Sequence, residues 1–191
     1  MPESLNIKLS SRSKALPKIS SISISELAAW AIVYEDGVVT TSLAIDGTFK
    51  DALSDTHSDI KSITLGPAGA WIILRADGTF AHERLPSGLE SLFNMRTRYD
   101  PKIEAISLGA FGSWFIRFDD GECLWEGLPK SLEKFLIKMI RKGHQGILVS
   151  LSIISPSNYF VAIGSDAEVA FNNINFRKAL TLEETEGVNY A

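Results

Sequence analysis

The sequence has little of what usually announces chemistry. In 191 residues it holds one cysteine, Cys123, and three scattered histidines, His57, His82 and His144. A lone cysteine excludes an internal disulfide, and the lack of Cys-x-x-Cys or His-x-x-x-His pairs excludes the usual structural zinc sites. No apolar run approaches the roughly 18 residues a membrane helix needs, and no apolar leader core follows Met1. Asn-x-Ser/Thr acceptors are absent as well. These absences lead to the expectation of a soluble, cytoplasmic protein with no membrane span. The net charge is only −4, so nothing global draws the chain to nucleic acid, and a nucleic-acid partner is not expected.

Catalytic signatures are missing too. "GAFGS", ending at Ser113, has glycines at the wrong offsets for a nucleophile elbow, and no Gly-Lys-Ser/Thr follows a glycine-rich turn. The acidic turns Glu35-Asp36 and Asp119-Asp120 lack the alternating oxygen ligands of a calcium loop. No cofactor, metal or catalytic residue is therefore expected, and an enzyme is the less favoured class.

What the chain does have is a repeat. Residues 60–93 align without a gap to residues 103–136; both read Ile-x-x-Ile-x-Leu-Gly, then Gly-x-Trp, a turn glycine seven residues after the Trp, and Leu-Pro-x-x-Leu. Weaker copies occupy 19–53 and 148–180. The anchors Trp30, Trp71, Trp114 and Tyr159 are 41, 43 and 45 residues apart, a spacing that means one supersecondary unit per repeat. Each unit reads as about three short strands. The alternating "Ile-x-x-Ile-x-Leu" is the first, and the Trp-led apolar run is the second. An Asp-Gly turn then leads to the third, with Gly supplying the positive φ of a primed hairpin turn. Behind Leu-Pro, the stripe Leu132, Phe135, Leu136, Met139 and Ile140 has helical spacing.

The fold class implied is mainly β: four tandem units of about 43 residues forming a small propeller-like ring with short helical connectors. The units run about 19–59, 60–102, 103–147 and 148–183. Residues 1–18 form an N-terminal arm whose alternating Leu5–Ser10 reads as a ring-closing strand, and 184–191 an acidic tail. An open half-ring completed by dimerisation is the other architecture, which makes a homo-oligomer one expected partner.

The pattern of Leu-Gly, Gly-x-Trp, Asp-Gly and Leu-Pro-x-x-Leu resembles the tectonin-type β-propeller repeats of intracellular, fungal-like lectins, most clearly in the two central copies. The resemblance implies a non-catalytic binding module recognising a small polar ligand such as a glycan at loops between units. Trp125 is the candidate stacking platform, with Glu122 and Glu126 as hydroxyl acceptors and His82 at the corresponding place in the preceding unit. Thr41 and Ala170 are the remaining counterparts. Lys134, Lys138 and Arg141 mark a possible basic rim. Two alternatives stand beside this reading: a protein-interaction or self-assembling scaffold, and an enzyme with an acid/base pair at the ring centre.

Overall fold

The computed structural model describes residues 2–10, 17–42, 47–54, 59–164 and 168–171. The end of the fourth unit, 172–183, and the tail 184–191 lie outside these residues. Among them the chain repeats one helix and three strands four times: α1 Glu3–Ser10, β1 Ile19–Ile24, β2 Trp30–Tyr34, β3 Val39–Thr41; α2 Gly47–Ser54, β4 Ile60–Leu65, β5 Trp71–Arg75, β6 Phe80–Glu83; α3 Ser87–Met95, β7 Ile103–Leu108, β8 Trp114–Phe118, β9 Cys123–Glu126; α4 Lys130–Arg141, β10 Ile147–Leu151, β11 Tyr159–Ile163, β12 Glu168–Phe171. Each strand triplet is a separate antiparallel sheet with its strands in chain order. The protein is thus mainly β, as the repeat implies.

Register confirms that the units are copies. Trp30, Trp71, Trp114 and Tyr159 each open a central strand and pair with the last residue of the strand before, Ile24, Leu65, Leu108 and Leu151. In three units a β-bulge falls at the same point, between Ile19 and Ser21, Ile60 and Ser62, and Ile103 and Ala105. The third strand corrects one alignment. Thr41, His82 and Trp125 face Ala31, Ile72 and Phe115, but in the last unit the corresponding Phe160 faces Phe171, not Ala170. That hairpin is one residue longer, so a gap-free alignment slips there.

In the first three units the central strands bury apolar side chains on both faces because those sheets lie between two layers. Ala31 and Val33 pack with Phe49, Ile63, Leu65, Trp71 and Ile73 of the second unit, while Ile72 and Leu74 pack with Leu89, Phe93, Trp114 and Ile116. A connector helix fills each wedge with an i, i+4 pair: Phe49/Leu53, Leu89/Phe93 and Leu132/Leu136. First strands lie side by side, stitched by hydroxyls at equivalent places. Ser23 Oγ accepts from the Leu65 N–H at 2.7 Å, Thr64 Oγ1 donates to the Ile106 carbonyl at 3.2 Å, and Ser107 Oγ accepts from the Leu151 N–H at 2.9 Å. These contacts run from unit to unit in chain order; a closed ring is not among what the described residues show.

The N-terminal arm departs from expectation. Leu5, Ile7 and Leu9 alternate, which reads as a strand, yet the segment is α1. The helix places Leu5 and Leu9 on one face against Trp30, Ile32 and Tyr34 and leaves Ile7 61 % exposed. Covering the first sheet's outer face outweighs local alternation. The same geometry begins three helices: Asn6, Glu90 and Glu133 donate backbone N–H bonds to the carbonyls of Pro2, Pro86 and Pro129. Pro2-x-x-Leu5 is therefore another Pro-x-x-Leu helix start, and α1 covers the outer face of the first sheet.

The turns differ in kind from the reading above. Gly37, Gly78 and Gly121 do have positive φ, at 80°, 91° and 88°, but the residues before them do not. With Gly N–H bonds back to Tyr34, Arg75 and Phe118, these are ordinary turns closed by a glycine bulge. Asp36, Asp77 and Asp120 each accept the N–H two residues on, at 2.9–3.1 Å. The primed turns occur at the opposite end, where Ala68-Gly69 and Phe111-Gly112 both have positive φ.

Candidate functional site

Of the residues singled out from sequence, Trp125 and His82 fall into packing positions, whereas Glu122, Glu126, Lys134, Lys138 and Arg141 are exposed. Strand alternation splits the Trp125 group: Cys123 and Trp125 face α4 and the fourth unit, whereas Glu122 and Glu126 lie on the other face. Trp125 is half-buried, its ring 6.5 Å from Phe115 and nearly parallel, in the cluster that includes Phe135. His82 occupies the corresponding place beneath α3, 5.9 Å from Phe80 and 5.3 Å edge-on from Phe93. Burial lowers the His82 pKa below its ordinary 6.5, partly opposed by the Glu90 carboxylate. Burial likewise raises the Cys123 thiol, with Arg117 opposing and Asp120 and Glu122 adding to the rise, which leaves it a poor nucleophile.

Glu126 has a structural task. Its Oε2 accepts the Trp114 indole N–H at 3.1 Å. In the first and last units the same job falls to the hydroxyl two residues after the helix proline: Trp30 Nε1 donates to Ser4 Oγ at 2.9 Å, and Tyr159 Oη lies 3.5 Å from Ser131 Oγ. At the third unit's wedge that position is Gly88, where an added Cβ would stand 2.0 Å from Glu126 Oε2. The missing side chain is what admits the carboxylate. Glu83, the counterpart of Glu126, bonds Thr48 of α2 instead, and the Trp71 indole N–H is buried with no partner among the described residues.

Lys134, Lys138 and Arg141 stay on the surface, joined by Lys142, along the outer face of α4. Among the described residues no group of three or more His, Cys, Asp or Glu side chains is placed to hold a metal ion, and no helix is long and apolar enough to cross a membrane.

The feature that sequence reasoning missed lies at the first hairpin tips. Each tip closes one first-to-second-strand hairpin: Ser25 to Ala29, Gly66 to Ala70, Gly109 to Ser113 and, in a longer loop, Ser152 to Asn158. The tips adjoin in a row. Glu26 Oε1 accepts the Ala68 N–H at 2.7 Å, the Ala110 N–H reaches the Ser152 carbonyl at 3.0 Å, and added Cβ atoms at Gly66 and Gly109 would meet Leu108 and Leu151 of the following unit. At their apices stand Leu27, Phe111 and Ile154, exposed at 78 %, 89 % and 78 %. Phe111 has φ 57° and ψ 30°, a left-handed conformation that costs a bulky L-residue about 1–2 kcal/mol. The small Ala68 holds the same conformation in the sister copy. The signal available in sequence was an aromatic between two glycines where the other central copy has alanine.

No family model matches the chain. No curated protein matches it either. Among solved structures it is similar to a virginiamycin B lyase from Staphylococcus aureus, at 13 % identity and TM-score 0.30, and to a streptogramin B lyase, at 10 % identity and TM-score 0.27. Each match covers 82 % of this chain, and the chain spans about half the length of either structure, 52 % and 54 %.

Proposed function

We propose that this protein is a non-catalytic binding module, a scaffold that engages a partner protein through its row of hairpin tips. In this reading the four sheets are blades of a small propeller-like ring with first strands innermost, and the tips form one rim. The observation that carries it is Phe111, which is almost fully exposed in a backbone conformation that disfavours it. A bulky apolar residue held in strain and contributing almost no burial to the fold is spending stability on something outside it. Leu27 and Ile154 extend the apolar line to either side, in keeping with an extended contact. Trp125, the platform a carbohydrate ligand would need, lies against Phe115 under α4, so the tips support protein recognition better than sugar stacking.

The test compares affinity capture by wild type and Phe111→Asp from native extract, with a glycan array run on the same preparations. The proposal expects a discrete protein captured by wild type and lost in the variant, with the array blank. Capture that ignores position 111, or array binding that depends on Trp125, would contradict it.

A further inference from the structure

α4 differs from its sister helices in a way the repeat does not require. It has 12 residues where α2 has 8 and α3 has 9. All three bury the same i, i+4 apolar pair, so the fold is satisfied by the shorter helices. Their exposed faces are not cationic: α3 carries no basic residue, and in α2 Lys50 is matched by Asp51. α4 presents Lys134, Lys138, Arg141 and the adjoining Lys142 at i, i+4, i+7 and i+8, so they share one outward face, with Lys130 at its start and Glu133 its single acidic residue. The added length is what brings Arg141 and Lys142 into line. None of these four cations has an ion-pair partner among the described residues. Ile137 lies among them on the same outward face.

Ile137 and Ile140 decide the kind of partner. Ile137, 39 % exposed, stands among the cations and Ile140, 40 % exposed, borders them on the Glu133 side, while Leu132, Leu136 and Met139 are buried beneath. Apolar side chains among lysines are idle against a phosphodiester backbone, which binds through charge and hydrogen bonds. At a bilayer surface they insert below the headgroups while the cations meet lipid phosphates and carboxylates. The protein's net negative charge does not forbid this, since screening confines the interaction to within about 8 Å of the face. We propose that the outer face of α4 is a docking surface for anionic lipid headgroups on a membrane, used peripherally and reversibly. It lies apart from the hairpin tips and does not depend on their role.

Each cation near an anionic surface contributes about a fivefold gain in partitioning. The experiment is co-sedimentation of the full chain with vesicles of phosphatidylcholine alone or of phosphatidylcholine with phosphatidylserine, at low and high salt, with a short DNA duplex as a separate arm. The expected result is binding only to the anionic vesicles and only at low salt. Lys138→Glu with Arg141→Glu should weaken it at least about thirtyfold, and Ile137→Ser with Ile140→Ser should weaken it without altering its salt dependence. Melting curves establish that both double variants are folded; single charge reversals replace any that is not. No binding to anionic vesicles, binding unchanged by charge reversal, or binding to DNA as tight as to vesicles would each overturn the proposal.

Discussion

Replacing Phe111 by Asn should make the protein more stable while abolishing its recognition. At φ 57° and ψ 30° the position is the first central residue of a primed turn, and the next, Gly112, has φ 76°. Asn tolerates this conformation, and Asn before Gly is the preferred pair for such a turn. Relief of the left-handed cost recovers about 1 kcal/mol. The loss on the other side is small. A fully buried Phe is worth about 1.5–3 kcal/mol, and with 89 % of Phe111 exposed only about a tenth of that is at stake. The net gain of roughly 0.7–0.85 kcal/mol corresponds to about 1.5–3.5 °C in a chain of this length. Paired thermal and urea unfolding would measure it, with an unchanged urea slope showing that the transition itself is the same. A loss of stability beyond about 0.5 kcal/mol would refute the reasoning, because Phe111 would then be packed in solution.

Gly88→Ala should destabilise by about 1 kcal/mol, since its methyl group displaces Glu126 and orphans the buried Trp114 indole. Gly88→Ser should sit closer to wild type because its hydroxyl accepts as Ser4 does, reversing the order that helix propensity alone dictates, and urea midpoints decide between the two. His82 has a folded pKa below its unfolded value, so the unfolded state takes up the proton more readily. Its contribution should be full above about pH 6.5 and should be lost as pH falls below that through the lowered folded pKa; His82→Gln should flatten this part of a stability–pH curve. Gly121→Val should cost more than about 1 kcal/mol by calorimetry, since φ 88° suits no β-branched residue and Gln145 Oε1 would lie 3.2 Å from the new Cβ.

The four units and their anchors were legible in the sequence because each Trp or Tyr must open its central strand opposite the last residue of the strand before, and that demand fixes a period. Asp-Gly marked the second turn of three units for a local reason, the positive φ of glycine, although the turn type depended on the preceding residue. Three things were hidden. Leu5, Ile7 and Leu9 satisfy strand and helix patterns alike, and only contact with Trp30 and Ile32 selects the helix. The extra residue in the last hairpin shifted Ala170 into a place that belongs to Phe171. Trp125 stands out by composition, but the face it takes, toward Phe115 and α4, follows only from strand register. The tips were hidden differently: exposure of Phe111 follows from turn geometry, which composition alone does not reveal.

The central claim, that the hairpin tips are the recognition surface, is tested most directly by placing a photo-crosslinking phenylalanine analogue at positions 27, 111 and 154 and, at the opposite end, at 38 and 122. The tips account predicts the same protein adduct from all three tip positions and none from the other two, with the adduct suppressed by excess wild type and not by Phe111→Asp. Adducts that form equally at both ends, or only at 38 and 122, would contradict it.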